Sequence, residues 1–240
     1  MNPFIHNCTT PEDLADKFAL QLISWINETN DNTFHLALSG GRTPTLLISL
    51  LADKYRNDVN WQKIHFWWSD ERMVPANNPE SNFGMVNDHL FSVIKLPENK
   101  IHNIRGEADP DGEAKRYGSE ISSIVPLRNG WPYFDLIMLG LGDDGHTASI
   151  FPNQIQLMES DGITAITIHP NTGQKRITLT GRVLNNAKRV AFLVSGVSKA
   201  SVYDKIIHQD NSALIYPAYL IRPKGELHWF ADKAATLKGK

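Results

Sequence analysis

Apolar positions along this chain follow two alternating periods, and the alternation sets out a fold. Leu14, Phe18, Leu22, Trp25 and Ile26 recur at the spacing of one helix face. Thr10-Pro11-Glu12-Asp13 precedes them with a hydroxyl cap, a proline and acid, so the pattern predicts a helix to about Glu28. Phe34 to Leu38 reads as a short strand that empties into Ser39-Gly40-Gly41-Arg42-Thr43-Pro44, and Thr43-Pro44 restarts a helix through about Ala52. Ile64 to Trp68 is a second strand, ending in Ser69-Asp70-Glu71-Arg72. Helices follow around Ser81 to Phe91 and from about Asp111 to Ile124, with polar, irregular chain from Pro97 to Pro110.

Phe134 to Leu139 is the most apolar strand, as expected where helices cover both faces of a sheet. It runs into Gly140-Leu141-Gly142-Asp143-Asp144-Gly145-His146. Further strands are predicted at Gly162 to Ile168, Lys175 to Leu179, Arg189 to Val194 and Leu227 to Ala231, with a helix from about Ser198 to His208. Alternating strand and helix patterns predict a Rossmann-like α/β fold, a mostly parallel sheet with helices on both faces. At 240 residues with no repeat or Pro/Ser-rich linker, one domain over residues 1–240 is expected.

Composition narrows the functional classes. The 24 Lys and Arg against 26 Asp and Glu leave a formal charge of −2, which argues against a nucleic-acid partner, since phosphate backbones demand a basic surface. A small anion needs only two or three local cations. The single cysteine, Cys8, allows no internal disulfide and reads as a structural thiol. With no visible signal segment and apolar runs too short to span a bilayer, a cytoplasmic protein without a membrane partner is expected.

Polar clusters follow three strands, after Leu38, Trp68 and Leu139. Carboxyl ends of strands line the ligand crevice of open α/β sheets, so these loops should converge. In the first, Gly40 and Gly41 allow close approach of backbone amides to a ligand, a helix N-terminus follows, and Ser39 and Thr43 add hydroxyls. It lacks the Lys-Ser/Thr spacing of a P-loop. In the second, Arg72 offers a planar fork for phosphate or carboxylate, with Asp70 or Glu71 placed to orient it. Alone it would read as a surface charge run, and Trp67 and Trp68 read as packing residues. The third spells G-x-G-x-x-G, yet two carboxylates stand where a dinucleotide pyrophosphate would lie. His146 on this glycine-hinged loop, with Asp143 and Asp144 at hand, reads instead as a base. Lys199, after Ser195-Gly196-Val197-Ser198, can present an ammonium to the same anion. No H-x-x-x-H metal pair and no G-x-S-x-G elbow occurs.

With these segments the sequence resembles the 6-phosphogluconolactonase family: Ser39 to Pro44, Asp70 to Pro75 with Ser81-Asn82, Gly140 to Pro152, Arg176 to Thr180, Gly196 to Ala200 and Trp229 to Asp232. The likeness runs from about Phe34 to Asp232, and Arg42 stands where the family often has serine. The resemblance implies a Rossmann-like fold shared with glucosamine-6-phosphate deaminases. It also implies hydrolysis of 6-phospho-D-glucono-1,5-lactone in the oxidative pentose phosphate pathway, with no cofactor. On that reading His146 takes a proton from water and Asp144 holds its imidazole, although Asp143 remains an alternative partner. Backbone N–H groups near Gly40, Gly41 or Gly145 meet the oxyanion, while Ser39, Thr43, Arg72 and Lys199 hold the remote phosphate of the sugar-phosphate substrate. A monomer or homodimer is expected. The competing readings are an amino-sugar-phosphate deaminase or isomerase, a non-catalytic sugar-phosphate-binding regulator and a nicotinamide dehydrogenase. Against the deaminase, Thr147 to Pro152 lacks the asparagine–glutamate pair that follows the histidine in those enzymes.

Overall fold

A computed structural model describes residues 2–237. Its centre is a six-stranded sheet built from β1 (Phe4–Cys8), β2 (Phe34–Leu38), β3 (Ile64–Trp68), β7 (Leu136–Leu139), β10 (Arg189–Val194) and β11 (Glu226–Asp232). The strands lie in the order β1-β11-β10-β7-β2-β3, and every pairing is parallel. From β2 the chain moves outward to β3; from β7 it moves the other way, to β10 and then β11. The adjacent β2 and β7 therefore form a topological switch point, where a crevice opens at the strands' carboxyl ends.

Helices cover both faces, and β11 shows how. Consecutive strand side chains point to opposite faces. Phe230 meets Phe18 of α1 (Pro11–Glu28) edge-on at 5.1 Å, whereas Trp229 meets Tyr203 of α6 (Ala200–Ile207). The other end repeats the division: Trp67 packs toward Tyr117 of α4 (Pro110–Ile124), and Trp68 toward Phe83 of α3 (Asn82–Val86). α2 (Arg42–Asp53) lies against α1. Full burial of one such aromatic contributes roughly 2–3 kcal/mol. Thr10 caps α1 by accepting from the Asp13 N–H, as its start signal predicts.

Several elements depart from the sequence reading. The segments read as strands at 162–168 and 175–179 do not join the main sheet. They form β8 (Thr164–Ile168) and β9 (Lys175–Leu179), antiparallel partners in a second sheet with β4 (Asp70–Arg72) as its third strand. The sequence places Asp70 to Arg72 in a loop, since three polar residues carry no apolar alternation. Ser69 joins the sheets: its N–H donates to the Leu38 carbonyl, and its own carbonyl accepts from Leu179. The edge strand β1, the hairpin of β5 (Leu127–Arg128) and β6 (Trp131–Pro132), and the short α5 (Gly181–Asn186) have no strong sequence period. The helix expected from Ser81 to Phe91 passes into a π-type turn at Asn87–Phe91. The one expected from Ser198 begins as a 3-10 turn at Val197–Lys199.

Histidines lie beneath the β2–β3 end of the sheet. Lys100 donates to His65 Nε2 at 3.0 Å, which leaves His65 Nδ1–H to donate to His102 Nε2 at 2.9 Å and His102 Nδ1–H to Glu120 at 2.7 Å. Burial first, then the neighbouring His65, His102 and Lys100, hold His35 down to about 3, and burial with Lys100 and His102 holds His65 at about 4. A histidine whose folded pKa is lowered stays neutral while the unfolded chain protonates below about 6.5. Its contribution is thus complete above that pH and is lost as pH falls toward 4. Urea unfolding should show a lower midpoint at about pH 5 than at about pH 7; equal midpoints would contradict this.

Candidate active site

The three loops do converge. Ser39 to Gly41 follow β2, Asp70 and Arg72 lie on β4, and Gly140 to Asp144 with His146 follow β7; together with Lys199 they line a cleft of about 400 Å³ at the switch point.

His146 is held close to the backbone. Its Nδ1 lies 2.5 Å from Asp144 Oδ1, which also accepts the His146 backbone N–H at 3.1 Å. Nδ1–H is therefore the donor, and Nε2 is left as an unpaired base among the described residues. Burial alone would raise the Asp144 carboxyl, yet the His146 imidazole and backbone N–H hold it down at about 2. Glycine at position 142 is a steric requirement, since a Cβ there would overlap His146 Nδ1, Cε1 and Asp144 Oδ1. Gly145, at φ +83°, turns the chain toward His146. Its N–H is taken by the Gly142 carbonyl at 3.1 Å, so the expectation that Gly145 meets an oxyanion is corrected. Of the two aspartates, Asp144 is the one on the imidazole; Asp143 is paired with Lys199 Nζ at 2.5 Å.

The first loop offers donors in another way than expected. Gly40 is glycine because Asn82 Oδ1 occupies the space of a Cβ, and Gly41 because it sits at φ +108° as the N-cap of α2. The N–H groups of Gly40 and Gly41 have no acceptor among the described residues, and the buried Ser39 Oγ has no partner either. Thr43 does not line the cleft: it lies inside the first turn of α2, and that turn is closed by Thr45 donating to the Gly41 carbonyl.

Neither expected acid orients Arg72. The Glu71 carboxylate is turned inward, accepting the backbone N–H groups of Arg72, Asn82 and Phe83 and the Ser81 hydroxyl, with burial pushing its pKa up against those bonds. It fastens the 81–83 segment, and through Asn82 the Gly40 turn. Asp70 accepts from Ser149 at 2.7 Å. Arg72 is instead anchored by the Glu80 carbonyl at 2.6 Å, and its buried Nε is unpartnered.

Arg176, His169 and Asn171 also line the cleft, though none of them stands in the three loops that the sequence points to. Arg176 on β9 stands directly across from Arg72 on β4. Burial lowers the Arg176 pKa, Asp70 opposes that, and Arg72 adds to it. Like charges directly opposite in an antiparallel pair repel, so this register favours an anion between them. His169 is lowered by burial and then by Arg176, and its ring meets Phe151 edge-on. Arg176 opens the Arg-x-Thr-Leu-Thr segment of the resemblance, the one signal that could have marked it.

A Rossmann-like parallel sheet with a His–Asp pair and a cationic cleft at its switch point defines an α/β protein whose cleft is suited to a small anion. The family model described as glucosamine-6-phosphate isomerases/6-phosphogluconolactonase matches residues 9–229, and the chain belongs to that family. It is 43% identical to the 6-phosphogluconolactonase of Haemophilus influenzae over 229 residues, 95% of this chain and 96% of that one. It is 41% identical to that of Synechocystis, covering 83% of this chain and 82% of the other. Among solved structures, the 6-phosphogluconolactonase of Trypanosoma brucei superposes with a TM-score of 0.87 at 27% identity, covering 98% of this chain and 97% of that one. A monomeric glucosamine-6-phosphate deaminase shares the fold alone, with a TM-score of 0.80 at 23% identity, over 97% of this chain and 98% of its own.

Gly142→Ala should fold yet break the His146–Asp144 bond. In proton NMR the far-downfield Nδ1–H signal of His146 should vanish in the variant; its persistence would show that the loop tolerates the methyl.

Proposed function

We propose that the chain hydrolyses 6-phospho-D-glucono-1,5-lactone to 6-phospho-D-gluconate, the lactone-opening step of the oxidative pentose phosphate pathway, with His146 as general base. One observation carries this reading: His146, with Nδ1 fixed on Asp144 and Nε2 free, shares a cleft with the opposed Arg72 and Arg176. The names of the similar proteins support the substrate.

A lactone carbonyl needs a water made nucleophilic, an oxyanion met by fixed donors and a substrate held in place. His146 Nε2 takes a proton from water as the water oxygen bonds to C1, and Asp144 stabilises the imidazolium that forms. The free N–H groups of Gly40 and Gly41 meet the carbonyl oxygen as it gains charge. Collapse restores the carbonyl and breaks the bond from C1 to the ring oxygen, which receives the proton back from His146. The product is the open acid. At the far end Arg72, Arg176 and Lys199, with the Ser39 hydroxyl, hold the phosphate. Binding energy spent there fixes the ring without touching the reacting carbon.

No helix among the described residues is long and apolar enough to cross a membrane; we place the enzyme in the cytoplasm, acting on a small sugar phosphate without a nucleic-acid partner.

Lactone loss, measured above its spontaneous hydrolysis, tests the assignments. His146→Ala should lower kcat by about 10²–10⁴-fold with KM little changed; a raised KM at full kcat would remove His146 as the base. Arg72→Ala should mainly raise KM, and an unchanged KM would take Arg72 out of the phosphate site. Ammonia release from glucosamine 6-phosphate at a comparable rate would instead favour the deaminase reading.

A further inference from the structure

Three carboxylates line the cleft, and each has a different partner. Asp70 is satisfied by Ser149, with Arg176 also reaching that hydroxyl at 3.4 Å. Asp144 is taken by His146. Asp143 is bound by Lys199, the cation assigned above to the substrate phosphate, with Nζ 2.5 Å from Oδ1. The contact is partly open, with side-chain exposures of 24% for Lys199 and 64% for Asp143, so an incoming anion can reach it. The Lys199 and Ser198 side chains both hold the Asp143 carboxyl below its ordinary range, Lys199 more strongly. The bond spans two separate elements: Asp143 belongs to the histidine loop after β7, and Lys199 closes the 3-10 turn after β10.

We propose that Asp143 is an internal counter-ion that occupies Lys199 until the substrate phosphate displaces it, and so sets the affinity of the cleft for phosphorylated ligands. The proposal rests on the phosphate assignment of Lys199 made above. An ammonium forms its strongest contact with one anion at a time, and a dianionic phosphate outcompetes a single carboxylate for it. Binding must break the Asp143 bond first, which subtracts from phosphate affinity; it does not touch a ligand without phosphate. Asp143 also sits beside Asp144, so displacement from Lys199 returns an unpaired carboxylate to the mouth of the cleft. That favours release of a phosphorylated product. Asp143 is thus a positioning residue that acts through Lys199.

Asp143→Asn keeps the shape and removes the charge. Because partly exposed ion pairs contribute up to about 1 kcal/mol, the variant should lower KM for the phosphorylated lactone roughly 2- to 5-fold. It should lower the Kd for inorganic phosphate, measured by calorimetry, by a similar factor. KM for unphosphorylated glucono-1,5-lactone should not move, and Asp143→Glu should restore the original phosphate Kd. Repeating Asp143→Asn in a Lys199→Ala background separates displacement from simple repulsion: the gain in phosphate affinity should disappear there. A gain that persists without Lys199 would overturn the counter-ion, as would weaker phosphate binding or a parallel change on both lactones in Asp143→Asn. Tighter phosphate binding in a protein that shows no lactone hydrolysis would leave the counter-ion standing and remove only the proposed reaction.

Discussion

The chemistry of the cleft depends on how near an imidazole can lie to a main chain. His146 and Asp144 fold back on the Cα of Gly142, where any side chain would overlap them. That contact keeps the Asp144 carboxylate on Nδ1 and turns Nε2 outward. Because the carboxyl is held at about 2, it is charged throughout the neutral range. One histidine tautomer is therefore fixed before any ligand arrives, and preorganised groups need no rearrangement as charge develops.

The cations depend on a second constraint, the seam between the sheets. Ser69 ties β2 of the parallel sheet to β9 of the antiparallel one. Immediately beyond it, β4 sets Arg72 across from Arg176. The Glu80 carbonyl holds Arg72, and Gln174 and Ser149 hold Arg176, so both guanidinium groups stay at the cleft. The fold therefore keeps an electropositive site in place where no protein carboxylate pairs with Arg72 among the described residues.

The parallel half of the fold and the convergence of three loops were legible because β2, β3 and β7 are dense apolar strands followed by glycine or charge. The antiparallel sheet was not, since three polar residues at 70–72 have no periodicity that distinguishes a strand from a loop. Arg176 lies on a strand that the sequence does show, but its place opposite Arg72 is set by register across more than 100 positions of sequence. Assigning Asp144 to the imidazole and Asp143 to Lys199 also required geometry, because adjacent aspartates look alike in a string. Thr43 is the converse case: it has the residue type of a ligand donor, but Gly41 begins the helix and Thr43 falls inside its first turn, outside the cleft lining.

In the proposed mechanism the Asp144 carboxylate, through Nδ1, makes His146 a base toward water at a lactone carbonyl. Turnover of 6-phospho-D-glucono-1,5-lactone by Asp144→Asn tests it most directly, because the amide preserves size while removing the charge that selects the tautomer. Its kcat should fall at least about 100-fold with KM nearly unchanged. A variant that hydrolyses the lactone at the wild-type kcat would contradict it.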